Sequence, residues 1–320
     1  MNTTKCFFSA GTIDDLMQDA MSEILNHGTA TRNIKGNTTE LSGVLLELTN
    51  PRARLSRSEA RGKVYGCLGE FCWYMSGTGD PEFIKYYLKK YDKCIENGTI
   101  HGAYGPRLFN WKGGNQFENV ITLLSNKKRQ DTRKAVLQLF DSTDLYKKHE
   151  DIPCTCTFQF FVRDGKLLMN TSMRSNDAYI GLPHDVFAFT MIQEFVARIL
   201  GCEPGTYKHF VGSLHIYEEH IKKAEGFIAE GYQSTKNFMP PMPSLNPRDE
   251  LKNLLDLENK IRLGQTIDFT LANDLSSFWA DLGRLLFVLA AKKRADTGTV
   301  EKIRRSMSSD VYYPYIDSII

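Results

Sequence analysis

Apolar residues recur at helical spacing over residues 13 to 26, IDDLMQDAMSEILN, and His27-Gly28 closes that run. From 33 to 43 the chain is polar, rich in Thr, Asn and Gly, and reads as a loop; VLLELTN (44 to 50) then reads as a short strand. Residues 58 to 75 predict a buried helix that stops at Ser76-Gly77, and 81 to 95 a second helix with many Lys and Tyr. The glycine-rich stretch 99 to 115 reads as a functional loop. From Lys134 the period changes from helical to two, so 135 to 140, 155 to 162 and 166 to 173 predict strands. Asp164-Gly165 between the last two is a hairpin signal, since both residues tolerate the left-handed backbone of a tight turn. Helical spacing returns over 183 to 200 and a strand over 207 to 217. Residues 234 to 248 hold four prolines and read as a linker or extended wrap, and 248 to 263 and 272 to 294 as two more helices. The pattern predicts an α+β fold: a mixed, largely antiparallel sheet with packed helices over 1 to 235, and a linker and helical extension over 236 to 320 packed on that core.

Composition narrows the partners. Lys and Arg number 40 against 38 Asp and Glu, a net charge of +2, too balanced for a general nucleic-acid coat. An anionic partner has to be small and met by a local arginine cluster. No apolar run approaches the roughly 18 residues of a membrane span; Leu285 to Ala291 is short and runs into Lys292, Lys293 and Arg294. The N-terminus has no sustained apolar region, so no leader is expected. The seven cysteines are scattered, and Cys154-Thr-Cys156 is too tight for a zinc knuckle. Reduced thiols, no metal and a cytoplasmic setting are the expectation.

Chemistry-bearing residues concentrate in Met173 to Phe187, MRSNDAYIGLPHDVF, where hydrogen-bonding side chains surround a Gly-Leu-Pro turn. Cys154 follows Pro153 at the start of a predicted strand, where a loop delivers a side chain to a sheet edge. Taken alone it reads as an inert buried thiol; as a nucleophile it needs an electropositive setting, from Arg174 or from Arg133 and Lys134. Arg174-Ser175 and Arg133-Lys134 are surface charge pairs or anion clamps, because the guanidinium fork matches phosphate oxygens. His215 and Tyr217 fall on one strand face, as a satisfied core pair or a grip for a sugar hydroxyl.

Taken in order, Pro-Cys, Asp-Gly-Lys-Leu, Arg-Ser-x-Asp-x-x-x-Gly-Leu-Pro, Pro-Gly and His-x-Tyr closely resemble the thymidylate synthase family. The resemblance covers roughly residues 13 to 245 and includes Glu70, Tyr104-Gly105, Arg133-Lys134, Cys154, QFFVRDGKL, Arg174 to Asp185 and HIYEEH. It implies that fold and a one-carbon transfer from 5,10-methylenetetrahydrofolate to a pyrimidine nucleotide. It implies Cys154 as the nucleophile at C6, Arg174 and Ser175 as phosphate ligands, and Arg133 and Lys134 reaching the phosphate of a neighbouring subunit in a homodimer. His215 and Tyr217 would hold the sugar, Glu70 would order water and relay protons, and Tyr104 would assist proton removal at C5. Asp177 and Gly181 would face the folate, with Arg32, in the polar loop, a further phosphate ligand. No membrane or nucleic-acid partner is implied.

Three departures from the family pattern bear on the substrate. Where the synthases carry an asparagine that reads uracil N3–H and O4, this chain has Asp185. Cytosine offers an N4 amino donor and a bare N3. A carboxylate accepts from N4, a neutral acid donates to N3, and a carboxylate repels O4. The change resembles that of the deoxycytidylate hydroxymethylase branch. The region matching the tryptophan that shields the exocyclic methylene is Tyr91-Asp-Lys-Cys-Ile-Glu, without tryptophan, so water would reach the methylene. Lys134 replaces a second arginine; with the long C-terminus it resembles the CMP branch, whereas Ser175 is the deoxy-type choice. The reading favours CMP slightly over dCMP, with a dCMP enzyme for modified phage DNA or a divergent thymidylate synthase acting on dUMP as alternatives. A non-catalytic RNA binder is the rival from another class.

Overall fold

The computed structural model describes residues 4–33, 36–59, 63–126 and 131–320. Its strands form one sheet. β1 (Phe7–Ala10) lies parallel to β3 (Gly36–Leu48), and β2 (Thr29–Asn33) folds back on β3 as a hairpin. β8 (Glu203–Tyr217) runs antiparallel to β3 and parallel to β6 (Lys166–Met173) and to the short β7 (Asn176–Asp177). β5 (Thr155–Arg163) and β4 (Val136–Gln138) complete the far edge. The path β1-β3-β8-β6-β5-β4 is thus mixed, and its antiparallel pairs outnumber its parallel ones.

Helix α1 (Ile13–His27) starts where Thr12 accepts a hydrogen bond from the Asp15 amide at 3.1 Å, and Asp14 and Asp15 favour its positive end. Its apolar stripe, Ile13, Leu16, Met17, Ala20, Met21 and Ile24, is buried against the sheet. Two helices are buried on nearly every side: α2 (Val64–Met75), and α6 (Gly181–Ile199), which begins at the Gly-Leu-Pro sequence. That sequence is a helix start rather than a turn. Proline within the first turn forfeits only an amide that has no helical partner.

Several expected elements differ. The polar stretch 33 to 43 is not a loop: its described residues form the end of β2 and the first part of β3, at a sheet edge with little apolar alternation to betray it. The helix expected from 58 begins at Val64. The one expected over 81 to 95 breaks into α3 (Pro81–Lys85) and a 3₁₀ stretch, Lys89–Cys94. Within 99 to 115 lies the short helix α4 (Tyr104–Phe109), and α5 (Gln116–Ser125) follows it. After α7 (Ile221–Ala229), helices α8 (Pro247–Arg262), α9 (Ser277–Lys293), α10 (Thr297–Ser306) and α11 (Tyr313–Asp317) end the chain.

The C-terminal helices share the core of the sheet and of α2 and α6. Trp279 meets Phe195 edge-on at 6.4 Å, and Tyr87 Oη donates to Glu258 at 2.8 Å. Tyr315 Oη donates to the Ser56 carbonyl at 2.7 Å. The proline-rich segment is stitched down as well: Met239 N donates to Arg52 O at 3.1 Å and Met242 N to Glu194 at 3.0 Å. Among the described residues no helix is long and apolar enough to cross a membrane.

Candidate active site

The β5–β6 hairpin builds the centre of the site. Asp164 and Gly165 both adopt positive φ, 49° and 70°, as a tight Asp-Gly turn demands. The ladder then runs in register to Thr157↔Ser172, but Thr155 pairs with Met173, so Cys156 bulges. That one-residue shift brings Cys154 opposite Arg174, whose amide donates to the Cys154 carbonyl at 2.9 Å. The Arg174 guanidinium folds over the same loop, donating from Nε to Pro153 O at 3.0 Å and from Nη2 to Ile152 O at 3.2 Å. A fixed positive charge therefore stands beside the Cys154 loop. Arg174 and Ser175 fill the gap between β6 and β7. Gly212 on β8 makes room, because a Cβ there would lie 2.9 Å from the Arg174 carbonyl.

One cavity of about 780 Å³ opens at this point. Cys154, Glu70, Tyr104 and Asp185 line it, with Arg174, Ser175, His215, Tyr217, Asp177 and Gly181. His215 and Tyr217 do share a strand face, their rings edge-on at 5.1 Å. Tyr104 Oη accepts from the amide and hydroxyl of Thr155, at 3.2 and 2.9 Å, next to Cys154. Burial, then Asp185 and Cys154, push its pKa well above the ordinary phenol range, so it stays neutral. Asp177 Oδ1 accepts the Tyr179 and Ile180 amides at 2.8 and 2.9 Å, just ahead of α6.

Arg32, Arg133 and Lys134 do not line the cavity. Arg32 lies on β2, exposed, rather than in a loop; Arg133 and Lys134 are exposed just before β4.

The cavity floor holds two carboxyl groups in contrasting settings. Glu70 on α2 accepts from Tyr91 Oη at 2.8 Å and contacts His184 Nδ1, with Lys90 at 3.9 Å. Burial opposes its charge, but His184 and Lys90 outweigh that and hold the carboxyl well below the usual range. Asp185, just past the first turn of α6, accepts from Asn176 Nδ2 at 2.6 Å. Burial first, and then the Glu70 charge, push its pKa up to about 7.

Sequence reasoning missed His184, Asn176, Trp73 and His149. The 91 to 96 stretch has no tryptophan, yet Trp73 of α2 lines the cavity and packs edge-on against Tyr91, centroids 5.3 Å apart. His149, also lining it, contacts Glu96 at 2.9 Å and stacks on His101 at 3.6 Å. None of these pairings has a sequence signal, since the partners are brought together only by the fold.

A family model described as thymidylate synthase matches residues 16–263. The chain belongs to the thymidylate synthase family. Membership makes it a one-carbon transferase that acts at C5 of a pyrimidine nucleotide with methylenetetrahydrofolate. The residues fit such ligands: Trp73 Nε1 and Asn176 Oδ1 are buried at the cavity wall without a hydrogen-bond partner, so polar heterocycles have groups to meet.

Proposed function

We propose that this thymidylate synthase-family chain is a cytoplasmic cytidylate 5-hydroxymethylase, with CMP favoured slightly over dCMP. The observation that carries the proposal is Asp185, half-buried in the cavity lining with its pKa pushed up to about 7. Because Asn176 already donates to Oδ2, the proton of the neutral acid belongs on Oδ1. Such an acid donates to the bare N3 of cytosine, and its acceptor oxygen suits the N4 amino group. Ionised, the same group repels uracil O4.

In the proposed reaction the Cys154 thiolate bonds to C6 and makes C5 nucleophilic, with Arg174 and Ser175 holding the phosphate and His215 and Tyr217 the sugar. The folate, against Asp177 and Gly181, supplies the methylene carbon. Tyr104 assists loss of the C5 proton. With that proton gone, the bond from the transferred carbon to the folate nitrogen breaks, the nitrogen taking up a proton, and an exocyclic methylene is left on C5. Water ordered by Glu70 adds to it, the water's proton passes to the carboxylate, and the C6–S bond breaks to restore the ring. No hydride moves, so the folate leaves as tetrahydrofolate. Tyr91, whose hydroxyl donates to Glu70, supports this outcome, because it lies in the region that matches the shielding tryptophan of the synthases and holds the carboxylate that is to order the water.

Asp185→Asn tests the base assignment. The amide serves both N3–H and O4 of uracil, so the ratio of kcat/KM for uracil over cytosine nucleotides rises about 10- to 100-fold, the cost of one or two mismatched buried polar contacts. An unchanged ratio removes the proposal.

A homodimer is the second element. Phe7, Leu45 and Phe210 lie side by side across β1, β3 and β8 on a sheet face that this chain leaves exposed, a patch suited to a second copy. Arg133 and Lys134 would then serve the partner's phosphate site. Mixing Cys154→Ala with Arg133→Ala/Lys134→Ala subunits should restore turnover that neither shows alone, because one of the two sites in the mixed dimer is intact. No restoration places those cations outside the reaction.

A further inference from the structure

His184 directly precedes Asp185, yet its ring points the other way, into α2. There Glu70 and Cys67 flank it one turn apart, and Gly66 makes space: a Cβ at 66 would lie 2.9 Å from His184 Cε1 and 3.0 Å from Leu88. Both partners are almost fully buried, His184 at 5% and Glu70 at 3% exposure. The Glu70 carboxylate is thus gripped from two sides, by Tyr91 Oη on one oxygen and His184 Nδ1 on the other. We infer that His184 is a positioning residue, which fixes the Glu70 carboxylate beside Asp185 and so assigns the two carboxyl groups of the site their separate tasks. This rests on the cytidylate reading above only for what those tasks are.

The electrostatics agree. Burial opposes a charge on His184, but Cys67 and Glu70 outweigh it and hold the imidazole well above its ordinary range. The other titratable groups facing the pair are Tyr74 on α2, Lys90 and Tyr91 on the 3₁₀ stretch, Asp185 on its own helix and Tyr104 from α4. With Glu70 kept as the anion, its charge helps Asp185 hold its proton up to about pH 7. One carboxylate is therefore ready to take a proton from water while the other keeps its proton for the base. Without the imidazolium, Glu70 takes up a proton at higher pH and the division is lost.

Two measurements decide this. In ¹⁵N-histidine NMR of the unaltered protein, with His184→Gln identifying the signal, the imidazole stays protonated above pH 8, and Glu70→Gln moves its titration down by at least about one pH unit. In activity, His184→Gln keeps an N–H donor but not the charge. The acidic limb of C5 tritium release from a cytosine nucleotide should move up by at least about one pH unit, with KM within about threefold of the parent. Gly66→Ala, which pushes the ring aside without removing it, should shift the limb the same way. An imidazole titrating near 6.5 and indifferent to Glu70→Gln overturns the inference. So do superimposable pH profiles of parent and His184→Gln. A parent that releases tritium from no pyrimidine nucleotide removes the functional reading instead, and the NMR result then decides the pairing alone.

Discussion

Cys154→Ala lowers turnover at least about 10⁴-fold while nucleotide affinity changes only a few-fold. The thiolate is the only group in the proposed reaction that forms a bond to C6, and removing a nucleophile removes the covalent route rather than weakening it. Arg174 and Ser175, and the His215–Tyr217 pair, are untouched by the change, and the Arg174 hydrogen bonds run to backbone carbonyls of the 152–154 loop. Steady-state rates with equilibrium nucleotide binding check both halves. Retained turnover would mean that the cysteine is the inert thiol it resembles when taken alone, and would overturn the covalent route through C6.

Glu194→Ala should produce the largest loss of stability, about 3–5 kcal/mol, because it leaves a buried cation without a partner. Glu194 is fully buried on α6. Its Oε1 accepts from Arg52 Nε at 2.9 Å and from Met242 N at 3.0 Å, and its Oε2 from Arg54, whose side chain is also fully buried. One carboxylate therefore ties the segment before α2 and the proline-rich segment to α6. Burial alone would raise its pKa, but Arg54, the Met242 amide and Arg52 hold it below the usual range. A depressed carboxyl contributes stability that is full above its unfolded pKa, about 4.3, and is lost as pH falls through the folded value. Urea unfolding at pH 7 should show a lower midpoint with an unchanged slope. A midpoint like the parent's would show that Arg54 finds another partner.

The parts of the fold visible in the sequence are those set by local periodicity or turn chemistry. The stripe Ile13–Ile24 and the Asp164-Gly165 turn are examples, and so is the alternation that puts His215 and Tyr217 on one face. Elements whose character comes from tertiary context were not visible. The hairpin of β2 and β3 is polar because it sits at an edge, and the 81 to 95 stretch breaks although its composition is helical. Within the site the residue types of Cys154, Arg174 and Asp185 were legible, but their proximity was not. A bulge at Cys156 sets the first pair opposite each other, and Glu70 meets His184 across 114 positions of chain. Arg32, Arg133 and Lys134 looked equivalent to Arg174 as cations; only the fold separates the residue that lines the cavity from three that do not.

The most direct test of the central claim is tritium release from C5-labelled CMP, dCMP and dUMP with methylenetetrahydrofolate, the products separated by mass. The account predicts release from a cytosine nucleotide, CMP ahead of dCMP, with a product heavier by one CH₂O unit and no dihydrofolate. Release from dUMP alone, with a methylated product and dihydrofolate, would contradict it and make the chain a thymidylate synthase in which Asp185 tolerates uracil.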